Sequence, residues 1–150
     1  MTTHSFAYIH SNHTTPFING LKLPFDIRPQ EIQDLSDYPY ENYDKNIILF
    51  SLTGQTELRE QEEKLIQNII SASKNATFLI ITPFRFEAGV DLNWILKQLT
   101  ILQNNQVNFE VLELNAIQKE EPHLTFDQAF RKIQEVIELI ASVTYGTFRG

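Results

Sequence analysis

Cysteine is absent from this 150-residue sequence, and glycine and proline occur only 5 and 6 times. The absence of cysteine excludes disulfides, zinc–thiolate sites and cysteine nucleophiles. The scarcity of glycine and proline excludes collagen-like and low-complexity chains. Basic residues are also few, because 12 Lys and Arg stand against 19 Asp and Glu, for a net charge of −7. They are scattered along the chain, which argues against a nucleic-acid partner and against a basic helix on a membrane surface.

Long apolar runs are missing as well. The longest, such as Phe78–Ile81, are too short to cross a membrane. The first residues lack the charged segment and apolar run of a signal peptide, so we expect a cytoplasmic protein. Hydrophobic residues make up 42% of the chain. This fraction and the chain length are typical of one globular domain with a sizeable core.

Residues 1–45 differ in texture from the rest, since they hold three of the four histidines and most of the tyrosines. Asn19-Gly20 lies between short apolar segments, which is typical of a type I′ hairpin turn. One helical turn is predicted near residues 29–35. We interpret residues 1–45 as an N-terminal extension that packs on a domain formed by residues 46–150.

Strand and helix patterns alternate from Asn46 onward. The predicted elements are a strand at Ile47–Phe50, a helix from Glu57 to Ser73 capped by Thr56, a strand at Ala76–Thr82, a helix from Asp91 to Gln103 with Leu96 on its apolar face, a strand at Val107–Leu114 and a final helix. Near-continuous apolar strands that alternate with helices indicate an α/β fold. We expect a doubly wound, mainly parallel sheet with helices on both faces.

The last helix has the best-defined start, because Thr125 and Gln128 form a T-x-x-Q capping box. Its apolar residues, from Phe126 to Ala141, recur at helical spacing. Leu139 and Val143 widen this apolar stripe, so we expect the helix to be buried on more than one side. We also expect Phe86, after the second predicted strand, to lie buried under this helix. The helix end, with Val143 and Tyr145, is expected to be partly exposed unless a partner covers it.

The loop Ser51–Thr56 lies between a strand and a helix, where α/β proteins often bind phosphate. It has only one glycine and is followed by four glutamates within residues 57–63, which favours a simple loop. His4, His10 and His13 lack a carboxylate spacing that would complete a metal site, so no metal is expected. Trp94 is expected either to pack on the N-terminal extension or to contact a partner.

Residues 82–87, Thr-Pro-Phe-Arg-Phe-Glu, resemble the T-x-P-F-x-F-E segment of FtsZ, the bacterial tubulin homologue. Residues 124–130, Leu-Thr-Phe-Asp-Gln-Ala-Phe, resemble the start of that family's long central helix. The resemblance covers roughly residues 46–145. It implies a shortened and degenerate version of the FtsZ/tubulin nucleotide-binding domain.

The resemblance also implies where a nucleotide would lie. Glu87 matches the family acid that helps to hold the ribose, Phe130 matches the aromatic that stacks on guanine, and Gln134 replaces the carboxylate that reads the base. The phosphate loop is replaced by Ser51–Thr56, and Asp91 stands where the family has an arginine. The degenerate nucleotide site that follows from these matches consists of Ser51, Thr53, Gly54, Glu87, Phe130 and Gln134.

These departures favour a non-catalytic domain that has no cofactor and acts through protein–protein contacts. Its partner is expected to be an FtsZ/tubulin-like filament, a bacterial cell-division assembly or a second copy of the chain. The alternative is a nucleotide-binding protein or GTPase-like switch with a divergent phosphate loop. A third possibility is a purely structural subunit with no small ligand.

Overall fold

A computed structural model describes residues 4–72 and 75–146. Five strands form one sheet in the order β2-β1-β3-β4-β5, and every neighbouring pair is parallel. The strands are β1 (His4–Ile9), β2 (Gln30–Ile32), β3 (Lys45–Ser51), β4 (Ala76–Thr82) and β5 (Phe109–Glu113). The α/β fold with a doubly wound parallel sheet, expected from the sequence, is therefore confirmed.

The first two strands were not predicted. β1 lies between β2 and β3, with Ala7 opposite both Gln30 and Ile48, so the N-terminal region supplies a central strand of the sheet. The predicted helical turn near residues 29–35 is wrong, because this segment contains β2. The predicted hairpin at Asn19-Gly20 is also wrong, since a 3₁₀ turn at Thr15–Phe17 precedes it and no strand pair flanks it.

The strands separate two apolar layers because their side chains alternate between the faces of the sheet. On one face, side chains from β3 and β4 pack against α1 (Arg59–Ile70) and α2 (Leu92–Asn104); they include Ile48, Phe50, Phe78 and Ile80. On the other face, Ile47, Leu49, Leu79 and Ile81 pack against α4 (Phe126–Thr144). All eight side chains are at most 2% exposed, so β3 and β4 form the centre of the core.

The helices begin with different caps. The capping box of α4 is confirmed: the Gln128 N–H donates to Thr125 Oγ1 (3.2 Å) and the Thr125 N–H donates to Gln128 Oε1 (2.8 Å). The prediction that Thr56 caps α1 is wrong, because α1 begins after Leu58 without a side-chain cap. The predicted end of this helix at Ser73 lies outside the described residues. A further helix, α3 (Leu114–Glu120), was not predicted.

Several apolar side chains lie on the surface where burial was expected. Leu96 of α2 is 60% exposed and Leu139 of α4 is 51% exposed. Val143, at the end of α4, is 57% exposed, which agrees with the exposure expected for the helix end. The expectation that α4 is buried on more than one side is therefore wrong. Tyr145 is buried against the N-terminal end of β1, where its hydroxyl donates to the Ser5 carbonyl, so its expected exposure is wrong as well.

The two phenylalanines after β4 have opposite environments. Phe84 is 5% exposed and belongs to the core under α4, whereas Phe86 is 58% exposed. The predicted burial of Phe86 is thus wrong. Strand alternation ends at Pro83, and the chain turns so that the Glu87 N–H donates to the Phe84 carbonyl (3.1 Å). Phe86 stacks on the outer side of Phe84, with 5.0 Å between ring centroids.

None of the helices in the described ranges combines the length and the apolar character that a bilayer span requires.

The difference in burial between Phe84 and Phe86 can be tested with a matched pair of variants. Phe84→Ala should lower the free energy of unfolding by about 3–5 kcal/mol, because it opens a cavity under α4. Phe86→Ala should cost about 1 kcal/mol or less, since it removes only an exposed ring contact. Chemical denaturation of both variants and the wild type measures the difference. Equal losses for the two variants would contradict the placement of these rings.

Candidate functional site

A cleft of the described molecule lies at the carboxyl ends of the strands. In doubly wound sheets, ligands bind at this edge, at the point where the strand order reverses. Here the order reverses between β1 and β3, which run side by side while the chain continues from each toward opposite edges of the sheet. The segments that leave these two strands, residues 10–14 and 52–58, therefore border the expected site.

Glu62, in the first turn of α1, holds the loop that follows β3. Its Oε1 accepts hydrogen bonds from the backbone N–H groups of Thr53 (3.0 Å) and Gly54 (3.0 Å). Its Oε2 accepts a hydrogen bond from the Thr53 hydroxyl (2.8 Å). Backbone N–H groups at this position are the donors that phosphate-binding loops offer to a ligand. Here they are occupied by a carboxylate of the protein itself.

The Glu62 carboxyl group is only slightly accessible to solvent, with 7% of the residue exposed. Burial raises the pKa of Glu62 above its ordinary value, because desolvation disfavours the charged form. The hydrogen bonds from Gly54 and Thr53 and the nearby His13 act in the opposite direction and offset part of this rise. The loop is thus held by an acid whose protonation changes at a higher pH than that of an exposed glutamate.

The same loop is pressed against the N-terminus of α2. Gly54 has a φ of +71°, and a Cβ at this position would lie 2.9 Å from the Asp91 carbonyl oxygen. The Asp91 N–H donates to the Thr53 carbonyl (3.0 Å), and its side chain pairs with Arg59 (2.6 Å). Arg59 also donates to the Gly54 carbonyl (2.7 Å). Gly54 is therefore needed both for its backbone conformation and for this close approach.

A small cavity of about 60 Å³ is lined by Glu87 and Phe130, two of the nucleotide-site residues that the FtsZ resemblance implies. Glu87 Oε2 accepts a hydrogen bond from the Phe84 N–H (2.8 Å), and its Oε1 lies 3.4 Å from Nε2 of His13. Phe130 packs on Phe17, with 4.9 Å between ring centroids. The two residues are close together in the fold, and both have partners within the protein.

The remaining predicted site residues are also engaged. Ser51 Oγ is 2.7 Å from Thr14 Oγ1, which ties the end of β3 to the segment after β1. Gln134 is 8% exposed and donates through Nε2 to the carbonyls of Phe17 (3.1 Å) and Asn19 (2.7 Å). Ser51 and Thr53 thus line one cleft, and Gly54 follows them in the same loop. Glu87 and Phe130 line a second cavity, and Gln134 lies one turn farther along α4. His13 lines both clefts.

The cleft beside Thr53 is the larger one, which we call the β1–β3 crevice, with a volume of about 310 Å³. Its apolar wall contains Ile9, Phe50 and Leu65, and polar side chains from α1 and from the segment after β2 surround it. Pockets that bind small molecules combine an apolar lining with a few placed polar groups. This crevice has the position and the lining of such a pocket.

Trp94 of α2 is half-buried, and the Arg59 guanidinium lies 6.0 Å from its ring centroid. Among residues 4–72 and 75–146, no three His, Asp or Glu side chains form a group that could hold a metal ion. His10 is paired with Glu31 instead, with 2.8 Å between Nδ1 and Oε1.

Comparison of the chain with protein-family models and with curated proteins gives no match. The FtsZ resemblance consequently stays a hypothesis that rests on the residues quoted for it.

Sequence reasoning missed Glu62 and the β1–β3 crevice. In the sequence, Glu62 is one of the four glutamates within residues 57–63 that argue against phosphate binding by the loop. A usable signal was present, because Glu62 lies four residues after Leu58 and four before Ile66, on the apolar side of the helix. A carboxylate at a core-facing position requires internal donors. The crevice itself carried no such signal, since β1 and β2 were not recognised.

The raised pKa of Glu62 predicts a pH dependence of stability. Above its ordinary value of 4.5, ionisation of this carboxyl costs more in the folded protein than in the unfolded chain. Its contribution to stability is therefore fully present below about pH 4.5 and is lost as the pH rises through the folded-state pKa. Glu62→Gln should become more stable relative to the wild type between pH 4 and pH 7.

Chemical denaturation across this pH range measures the effect. Glu63→Gln is the matched control, because Glu63 is exposed on the same turn of α1. The gain in stability relative to the wild type between pH 4 and pH 7 should be larger for Glu62→Gln than for this control. A Glu62→Gln variant that loses stability relative to the wild type as the pH rises would contradict the direction of the pKa shift.

Proposed function

We propose that this protein is a non-catalytic interaction domain that binds a protein partner through one side of α4. The observation that carries the proposal is a line of exposed apolar side chains formed by Val136, Leu139 and Val143, which we call the α4 stripe. Their exposed fractions are 40%, 51% and 57%.

The geometry of the helix makes the stripe continuous. Its members are separated by three and four residues, so they lie one above another along the helix. The opposite side of α4 carries Ile133, Ile137 and Ala141, which are at most 2% exposed. Exposed apolar residues that occur singly need no explanation, whereas a contiguous set is typical of an interaction surface. A partner that covers the stripe gains about 25 cal/mol for each Å² of apolar surface removed from water.

The β3–α1 loop supports the non-catalytic part of the proposal. Its N–H groups are bonded to the Glu62 carboxylate, and an incoming phosphate would have to replace a negative charge already in place. These contacts favour a binding role over a GTPase-like switch.

The partner class comes from the resemblance of residues 82–87 and 124–130 to FtsZ. We propose that the chain is a degenerate relative of this family and contacts an FtsZ/tubulin-like filament or a second copy of itself, as an accessory of a bacterial cell-division assembly. The cytoplasm is the compartment proposed with it.

The alternative, a nucleotide-binding switch, is supported by the proximity of Glu87 and Phe130 in one cavity. Its volume of about 60 Å³ is small beside the several hundred Å³ typical of ligand pockets. A nucleotide base in this place would require Phe130 to leave Phe17. We therefore keep this function as the second candidate.

The α4 stripe gives a direct test. Val136→Gln, Leu139→Gln and Val143→Gln combined should leave the melting temperature nearly unchanged and should abolish recovery of the partner in a pull-down from the native cell. If the partner is a second copy, light scattering should show a dimer for the wild type and a monomer for the variant. The control is Leu96→Gln, which replaces an equally exposed leucine on α2, on the other face of the sheet.

Two outcomes would contradict the proposal. One is recovery of the same proteins, in the same amounts, with the stripe variant and with Leu96→Gln. The other is recovery of no FtsZ/tubulin-like protein with any form while the wild type stays monomeric.

Calorimetric titration separates the two candidate functions. GTP and GDP should show no binding at micromolar concentrations, because the loop N–H donors are already bonded to the Glu62 carboxylate. A dissociation constant in the micromolar range or below for either nucleotide would overturn the non-catalytic reading and favour the switch.

A further inference from the structure

We propose that the β1–β3 crevice is a binding site for an uncharged nucleoside or free nucleobase. This inference does not depend on the α4 stripe, because α1 and α4 lie on opposite faces of the sheet.

The position of the crevice is the first argument. It opens at the carboxyl edge of the sheet between β1 and β3, where the strand order reverses, which is the place where doubly wound proteins bind ligands. The Thr14–Ser51 hydroxyl contact (2.7 Å) joins the segments that leave the two strands. The Glu62 bonds fix the loop on the α1 side. The walls are thus preorganised, which lowers the cost of ordering them around a ligand.

The size and the wall suit a flat, apolar ring. The volume of about 310 Å³ is at the lower end of the range of small-molecule pockets, about 300–1,000 Å³. Leu65, Ile9 and Leu58 form the apolar surface of the crevice, and Phe50 lies fully buried behind it. Nucleobases taken out of a stack pack their faces against apolar side chains, which this surface offers.

The polar groups of the crevice indicate what the edge of the ring should carry. Three carboxamide side chains line it: Gln33 after β2, and Gln61 and Asn68 on α1. Within the described residues, none of the three has a hydrogen-bond partner in the protein. A carboxamide offers a donor and an acceptor together, which matches the adjacent donor and acceptor atoms on the edge of a nucleobase.

The charges of the crevice disfavour an anionic ligand. Among the described residues that line it, the carboxylates of Asp34 and Glu62 face the ammonium group of Lys64 and the imidazoles of His10 and His13. The N–H groups of the β3–α1 loop, the natural donors for a phosphate, are bonded to Glu62. A phosphate on the ligand would therefore meet two carboxylates and would not find the backbone donors that phosphate-binding loops supply. The site accepts the neutral part of a nucleotide and rejects its phosphates.

The test uses calorimetry or ligand-observed NMR with adenosine, guanosine, cytidine and uridine on the full chain. At least one of them should bind with a dissociation constant of about 1 mM or tighter, as expected for a few hydrogen bonds over an apolar wall. The matching 5′-monophosphate should bind more weakly, and free ribose should not bind.

Two single variants connect the binding to the crevice. Gln61→Leu and Asn68→Leu each remove a carboxamide, and each should weaken binding about tenfold, the effect of one lost hydrogen bond. Gln67→Leu is the matched control, because it makes the same type of change on an exposed side chain of α1 that does not line the crevice. It should bind like the wild type.

The outcomes are distinct. Absence of binding for all four nucleosides at about 10 mM would overturn the proposal, since a dissociation constant of about 1 mM would nearly saturate the site at this concentration. Equal binding by Gln61→Leu, Asn68→Leu and the wild type would place the ligand elsewhere and would also overturn it. Tighter binding of the monophosphate would make this an anion site and would support the nucleotide switch instead. None of these results depends on the α4 stripe, so failure here leaves the interaction proposal standing.

Discussion

The three hydrogen bonds accepted by the Glu62 carboxylate hold together the carboxyl end of the sheet, where the β1–β3 crevice opens. They close the loop after β3 onto the first turn of α1, and they fix Thr53, whose carbonyl receives the Asp91 N–H at the start of α2. Two helices and the segment that follows β3 are thus joined around one buried acid. A buried acid without these donors would be strongly destabilising, so the loop and the helix depend on each other.

The sequence predicted the elements whose stability is local or whose pattern is complete. β3 and β4 are near-continuous apolar runs, as strands buried on both faces must be, and the capping box of α4 satisfies its own end. β1 and β2 were missed because their stability comes from pairing. β2 has only three residues, Gln30–Ile32, and is a strand because β1 lies beside it. No pattern within three residues can predict that partner.

The wrong predictions of side-chain burial also arose because burial depends on neighbours that are distant in the sequence. The sequence shows that Leu139, Val143 and Leu96 are apolar and at helical spacing, but it does not show whether another element covers that side of the helix. Phe86 was expected to be buried because it follows a buried strand. The turn from Phe84 to Glu87 leaves it on the surface. For the candidate site, the loop and Glu87 were identified, whereas the crevice needs β1, β2 and α1 together and could only be found in three dimensions.

The two proposed surfaces use the two faces of one sheet for different purposes. The crevice lies on the α1 side, where polar groups are held in place by internal hydrogen bonds, and the stripe lies on the α4 side, where apolar groups are left in water. Tyr145 joins the end of α4 to β1, through its bond to the Ser5 carbonyl. β1 also leads directly into the crevice through residues 10–14. A single strand therefore contacts both regions of the molecule.

The position of β2 and β5 at the two ends of the strand order has a consequence for how the molecule meets other sheets. Each end strand has one row of backbone N–H and C=O groups that no strand of the described chain pairs, and such a row attracts further strands. β2 is short and carries exposed Gln30 and Glu31, and β5 carries exposed Glu110 and Glu113. A second copy that approached β5 edge to edge would bring carboxylates of the same sign together. Carboxylates of the chain thus lie where they oppose the addition of a further strand beside β5.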